Sequence, residues 1–470
     1  MTKYIAMLSL MIIGLLSQAD AFAAENDLAL VGGTVIDATG AKPITNGVIV
    51  IRDGRISAIG SRGTVVIPRG IRTVEIPGKY VIPGLMDANV HLFLDAEPEN
   101  LIKYEGHYED LIIEAAQIAL KNGVTTVFDT WGPREALVTA RDRINSGNAE
   151  GSRIFLAGNI IGLTGPLSSD FFPEAQKILS ATLIDRIDQQ WEQGVGADLL
   201  WMTPEEVQVK VRAYIKNGRV DFVKYASSGH VNEQFLAFAP DVQQKIVIEA
   251  HQAGLTVQAH STSVTSLLAE IDAGVDIMQH CDITGPEPIP ASTLKIIVER
   301  KIPCAAMAVT NRHLQWELSH NFRQGFSEES KTQDLNDRNL IKAGAVLLLT
   351  TDSGIFGPDS ESSPILGPML KDVPDVSVRL QDAAFLWLHA VGERGLSPMN
   401  ALLAATRNIA VAYGKASELG TLEPGKRADL VVLNADPLED PGNYRKIALV
   451  FKDGVSVERD KLPRNRHLSQ

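Results

Sequence analysis

Hydrophobic and polar positions change their period twice along the chain. From Leu28 to Glu75 short apolar runs rich in Val and Ile, LALVGGTVID, GVIVIRDGRISAIG, TVVIP and RTVEIP, are broken by Gly, Pro and Asp. Runs of that length and composition, set off by turn residues, predict strands. Asp53-Gly54 between two of them predicts a hairpin, because both residues tolerate the positive φ of a two-residue turn. The same texture returns in ADLVVLN and in KIALVFKDGVSVER, the latter around Asp453-Gly454. Two β-rich flanks around a long middle predict one small β-domain built from both termini, 24–79 with 415–470.

From Tyr80 to Gly414 the pattern alternates differently. Apolar strands that end in polar residues are followed by amphipathic stretches. The predicted strands are YVIPGLMD, VTTVFDT, RIFLAGN, DFVKYA, TVQAH, DIMQH, IPCAA and VLLLTTDS. Between them EDLIIEAAQIALKNG, DVQQKIVIEAHQAG and VTSLLAEIDAG read as helices closed by Gly. Eight strands alternating with helices predict a (β/α)8 barrel over 80–414. A doubly wound open sheet competes, but no glycine-rich phosphate-binding turn follows the first strand. Two insertions, 160–220 after the third strand and GIFGPDSESSPILGPML after the eighth, would project from the C-terminal rim, where such enzymes place active sites.

The first 23 residues fit neither pattern. A single lysine, a short apolar core and Ala21-Phe22-Ala23 read as a secretory signal peptide. The mature protein is then expected to be exported, periplasmic or secreted, with no membrane anchor after cleavage. The 470 residues carry a net charge of −13 with no Lys/Arg cluster, which argues against a nucleic-acid partner. Two cysteines, Cys281 and Cys304, are too few for a disulfide scaffold and read as buried thiols.

Polar residues at strand ends carry the chemistry. Asn89 and His91, two apart, face the same side of the first strand. The fourth strand carries Lys224, the fifth ends in His260, the sixth in His280 and the eighth in Asp352. One histidine at a strand end is an ordinary rim residue. Strand ends of a barrel, however, converge on one rim, and imidazole and carboxylate are ligands that zinc prefers. Lys224 inside an apolar strand would bury a charge at high cost. It is either a snorkelling or paired lysine, or a neutral amine that has taken up carbon dioxide to become a carbamate able to bridge two metals.

With these residues in view, the chain resembles the metal-dependent amidohydrolase superfamily over nearly all of its mature length. VIPGLMDANVH, DFVKYAS, TVQAH with AGVDIMQH, LLLTTDS and LGTLEPGKRADLVVLNADPLED carry the likeness. The last, preceded by GLSPMNALLAATRNIAVAYG, is similar to the branch of imidazolonepropionase-like proteins and Xaa-Pro dipeptidases. The resemblance implies a (β/α)8 barrel with a β-sandwich from both termini and one or two divalent metals, usually zinc. It also implies His91, carboxylated Lys224, His260, His280 and Asp352 as metal ligands. Asn89 departs from the family's His-x-His; an amide oxygen is a weaker donor to zinc, and Asn-x-His is similar to phenylurea hydrolases.

The resemblance to the dipeptidase branch suggests substrate or carbonyl contacts at Tyr225 and His230, with core packing and a surface loop as their alternatives. Trp131 at the end of the second strand and Arg312 and His313 after the seventh are further rim candidates. Arg312 would suit a substrate carboxylate or stand solvated on the surface. His251 and His389, inside helical stretches, read as structural.

Such a site implies hydrolysis of a C–N bond in a small-molecule amide, urea or dipeptide. A metal-bound hydroxide attacks, and Asp352 accepts the proton and passes it to the leaving nitrogen. A lactone or organophosphate hydrolase on the same scaffold is one alternative, and a metal-free, inactive binding protein another. Related barrels often self-associate, so a homo-oligomer is open.

Overall fold

The computed structural model describes residues 27–95, 97–229, 235–320, 326–363 and 366–469. The signal-peptide reading of 1–23 and the His230 reading fall outside these residues. The chain opens with β1 (Leu28–Val35), β2 (Ile44–Arg52), β3 (Arg55–Ser61), β4 (Arg72–Glu75) and β5 (Tyr80–Pro83). The middle supplies β6 (Leu85–Val90), β7 (Val124–Asp129), β8 (Arg153–Leu156), β9 (Val223–Ala226), β10 (Val257–His260), β11 (Ile277–Gln279), β12 (Cys304–Ala305) and β13 (Leu347–Leu348). The C-terminal part adds β14 (Leu430–Leu433), β15 (Ile447–Lys452) and β16 (Val455–Ser456).

Strands from both ends share one mixed sheet, ordered β16-β15-β14-β5-β1-β2-β3, with β4 beside β1. Its described strands are hydrogen-bonded into a single sheet. Alternation buries both faces of β1: Leu28 and Leu30 pack with Ile49, Ile51 and Leu430, while Ala29 and Val31 pack with Val48 and Val50. Both Asp-Gly turns are hairpins. Asp53 and Asp453 have φ 49°, and Gly54 and Gly454 φ 74°, the doubly positive pair such a turn needs.

The middle strands form a parallel sheet of three (β6-β7-β8) and one of five (β9 to β13 in order). The two are bonded at both edges. On one side Asp221 N–H donates to the Leu156 carbonyl (2.8 Å) and Ile161 N–H to that of Lys224 (2.9 Å). On the other, N–H groups of Ala88, Asp352 and His91 reach the carbonyls of Leu349, Asn89 and Ser353, each at 2.9 Å. Helices such as Tyr108–Lys121, Arg134–Asn145, Pro240–Gln252 and Val264–Ala273 lie between successive strands. Gly274, at φ 89°, closes the last of these, as the Gly-terminated pattern predicts.

One predicted strand is two. YVIPGLMD divides at Gly84: β5 pairs with β1 and β14 in the terminal sheet, and β6 opens the middle region. A Cβ at Gly84 would overlap the Thr125 side chain, so the crossing needs glycine.

Side chains pointing inside the eight strands form layers. Phe128 stacks on Tyr413 with ring centroids 3.8 Å apart, and Phe222 meets the same ring at 5.0 Å. Tyr413 enters from the end of the helix Arg407–Ala412, and its hydroxyl donates to the Ala88 carbonyl at 2.6 Å. Gln258 donates to the Tyr413 oxygen at 3.2 Å and accepts from Gln279.

Candidate active site

Two residues further along the same strands the inward positions become polar. Phe128 is followed by Thr130, Phe222 by Lys224 and Gln258 by His260. On β6 the inward series is Asp87, Asn89 and then His91. His280 and Asp352 leave the ends of β11 and β13, both with positive φ, 55° and 54°. Left-handed backbone at non-glycine residues is strained, and here it falls on two candidate ligands.

These side chains meet. His91 Nε2 lies 2.9 Å from Asp352 Oδ1, and Asn89 Nδ2 donates to the same oxygen at 2.7 Å. Thr130 donates its hydroxyl proton to Asn89 Oδ1 and accepts from Lys224 Nζ at 3.1 Å. The rings of His260 and His280 stand edge to face, centroids 4.9 Å apart. Lys224, Thr130, Asn89, Asp352 and His91 thus form one hydrogen-bonded line across four strands. Burial alone would raise the Asp352 carboxyl, but His91, His280 and Lys224 hold it well below the usual carboxylate range. Burial lowers the Lys224 amine to about 8, with Asp352 and Asp129 partly opposing.

Asn89 occupies its expected place, yet its amide spans Thr130 and Asp352. In this structure the Asn89 amide is a hydrogen-bond bridge. Among the described residues, no three His, Cys, Asp or Glu side chains already surround one point at metal-binding spacing. The donor chemistry still fits a divalent cation, with three imidazoles and an ionised carboxylate on one rim.

Supporting groups escaped the sequence reading. Asp87 accepts from the N–H groups of Asn89 (3.2 Å) and Thr351 (3.3 Å) and from the Thr351 hydroxyl (2.6 Å). Burial pushes its carboxyl up to about 7. Asp129 accepts from Leu92 N–H at 2.8 Å, and burial raises it to about 8. The signal available was a polar residue in an apolar strand, in step with a candidate ligand.

The rim candidates separate. Trp131 is buried, edge-on to His91 at 5.7 Å, and donates to Asn159 at 3.0 Å. Tyr225 takes the core-packing alternative: alternation turns it away from Lys224, and its hydroxyl donates to Gln243 at 3.0 Å on the flanking helix. Arg312 and His313 lie on the helix Asn311–His320. Arg312 is exposed and pairs with Asp375 at 3.5 Å; His313 meets the Pro374 carbonyl (3.0 Å) and Glu317 (3.3 Å). His251 meets Asp276 at 2.9 Å and His389 meets Glu393 at 3.5 Å, structural contacts as read. Cys281 and Cys304 are buried free thiols.

A family model described as the amidohydrolase family matches residues 80–457. The solved structure of molinate hydrolase superposes with a TM-score of 0.88 at 37% identity, covering 94% of this chain and 97% of that one. Phenylurea hydrolase B gives 0.88 at 35% identity, covering 94% and 99%. Ochratoxinase of Aspergillus niger is 27% identical over 421 residues, 85% of this chain and 79% of its own.

Proposed function

The chain belongs to the amidohydrolase family, and from that membership we propose that it hydrolyses a C–N bond of a small-molecule amide or urea where the eight strands end. It is an amidohydrolase-type enzyme acting on carbon–nitrogen bonds. The observation that carries the reading is the hydrogen-bonded line from Lys224 to His91 centred on an ionised Asp352. In this reading the eight parallel strands are a closed (β/α)8 barrel with its reaction centre at the C-terminal rim.

Enzymes of this superfamily generally use a divalent metal. His91, His260, His280 and Asp352 would hold it here, and zinc suits such a donor set. When bound, the cation supplies a water acidic enough to ionise near neutral pH and a positive charge for the scissile carbonyl. Asp352 takes the water's proton and delivers it to the leaving nitrogen; a carboxyl kept ionised by His91 and His280 starts in the correct state. Asn89 fixes the Asp352 carboxylate by donating to it. The lowered Lys224 amine supports its capture of carbon dioxide, which releases one proton and leaves a carbamate as a further anionic ligand. The first 23 residues, as a signal peptide, would place the reaction outside the cytoplasm.

Asp352→Asn, purified with its metal content measured, is the test. Activity on an amide and urea panel should fall roughly 10²–10⁴-fold, with folding and metal retained. A folded, metal-loaded Asp352→Asn protein with full activity overturns the reading.

A further inference from the structure

The candidate ligands stand where the middle strands end. A second charged assembly lies where two of those strands start and meet the terminal sheet. Arg153 opens β8, Asp221 precedes β9, and the turn from β15 to β16 brings Lys452 and Asp453 against them. Together they line a cleft of about 600 Å³.

Five cationic side chains line it, Arg141, Arg153, Arg219, Arg427 and Lys452, against four carboxylates. Guanidinium groups already hold all four. Asp453 pairs with Arg153 at 2.7 Å and with Arg427 at 2.8 Å, and Glu418 with Arg427 at 3.5 Å. Asp221 pairs with Arg141 at 2.9 Å, and Asp142 with Arg219 at 2.6 Å. Lys452 is the cation left over: among the described residues its ammonium forms no ion pair.

Lys452 is also half-buried. Burial lowers its amine below the ordinary lysine range, and Arg153 lowers it further, with Asp453 and Asp429 partly opposing. Arg153 is 7% exposed and held by both Asp429 and Asp453, so it cannot swing away to relieve the repulsion. An ammonium desolvated in this way lowers stability until a counter-ion joins it. Across the cleft Arg219 uses one nitrogen, Nη2, on Asp142 and keeps its other donors. Those donors form the fork that matches the oxygens of phosphate or carboxylate.

We propose that this cleft binds a small oxyanion, a phosphate or a carboxylate, between Lys452 and Arg219. The bound anion ties the terminal sheet to the starts of β8 and β9. It is a site apart from the reaction centre, and it stands or falls without the hydrolase reading.

The full-length, metal-loaded protein is titrated calorimetrically with inorganic phosphate and with acetate, at a fixed ionic strength set by chloride. Thermal unfolding is followed in the same solutions. Phosphate or acetate should bind saturably and raise Tm by about 2–5 °C over chloride alone. Binding of one but not the other supports the proposal and fixes the charge of the ligand. Lys452→Met should weaken binding at least about tenfold, and Lys452→Arg should restore most of the loss. Should Lys452→Met fail to fold, Lys452→Gln and Arg219→Gln carry the same expectation. His91→Ala, in the reaction centre, should leave anion affinity within a few fold. Affinity unchanged by Lys452→Met overturns the proposal, as does affinity lost in His91→Ala but kept in Lys452→Met. A Tm that rises equally in chloride overturns it too, because simple screening then accounts for the effect.

Discussion

Two layers lie inside the eight strands, two residues apart, and they differ in kind. Phe128, Phe222 and Gln258 form one with Tyr413; Thr130, Lys224 and His260 form the next on the same three strands. The first behaves as a core should. Its rings stack, and the Tyr413 hydroxyl is satisfied by the Ala88 carbonyl at 2.6 Å. The second gathers a lowered lysine, a deeply ionised aspartate and two left-handed non-glycine residues. Such groups lower stability unless paired, and here they are paired chiefly with one another. Strand register keeps the layers apart. A slip of one residue on β9 would turn Tyr225 inward and bury Lys224 against the helix Pro240–Gln252.

The sharpest way to break this contrast is to neutralise the polar layer. Lys224→Met should lose activity roughly a hundredfold or more if its amine, or the carbamate it forms, serves the reaction. Its thermal midpoint should hold or rise, because a desolvated amine has been replaced by an apolar chain. Activity assays beside thermal unfolding decide: an active variant, or one that unfolds early, erases the distinction. The aromatic layer should respond oppositely. Phe128→Ala should cost about 3–5 kcal/mol in denaturant unfolding, while kcat/KM per folded molecule stays within a few fold.

How far the sequence shows this arrangement depends on what fixes each feature. The Asp-Gly hairpins and the strand ends at Asn89, Lys224, His260, His280 and Asp352 were legible, because turn chemistry and polar punctuation are local. The division of YVIPGLMD was hidden: Gly84 is set by its contact with Thr125, a residue on another strand. Tyr225 was left open between substrate contact and core packing, because the partner that decides it, Gln243, lies on the flanking helix. Thr130 and Asp87 act through partners on distant strands, Asn89 and Thr351, which no local pattern names.

Asp87 belongs to neither layer, and that makes it a finer probe. It ties Asn89 to Thr351, and so sets the spacing between the first and last of the eight strands just below Asp352. Asp87→Asn keeps the shape but leaves an amide NH2 facing donors. We expect kcat to fall about tenfold at nearly unchanged KM and metal content, with stability lower by about 1–2 kcal/mol. A purely structural role would show as lost stability with kcat intact.

The smallest effect concerns the insertion at 160–220, which borrows the polar layer's chemistry outside the strands. Asp188, on the helix Ala181–Glu192, accepts from Leu167 N–H at 2.8 Å. Burial raises its carboxyl to about 7, helped by Glu192 and Asp185. Its ordinary value is 3.8, so between that and about 7 the folded protein keeps a proton the unfolded chain has released. This contribution to stability is fully present below 3.8, declines as pH rises through the window and is gone above about 7. Asp188→Asn keeps an acceptor for Leu167 but cannot titrate. Calorimetric scans from acid to neutral pH should show the unmodified protein losing about 2–4 °C more in Tm than the variant. Parallel curves would mean that Asp188 titrates alike in both states, and that the ionisable character of the polar layer does not extend to the 160–220 insertion.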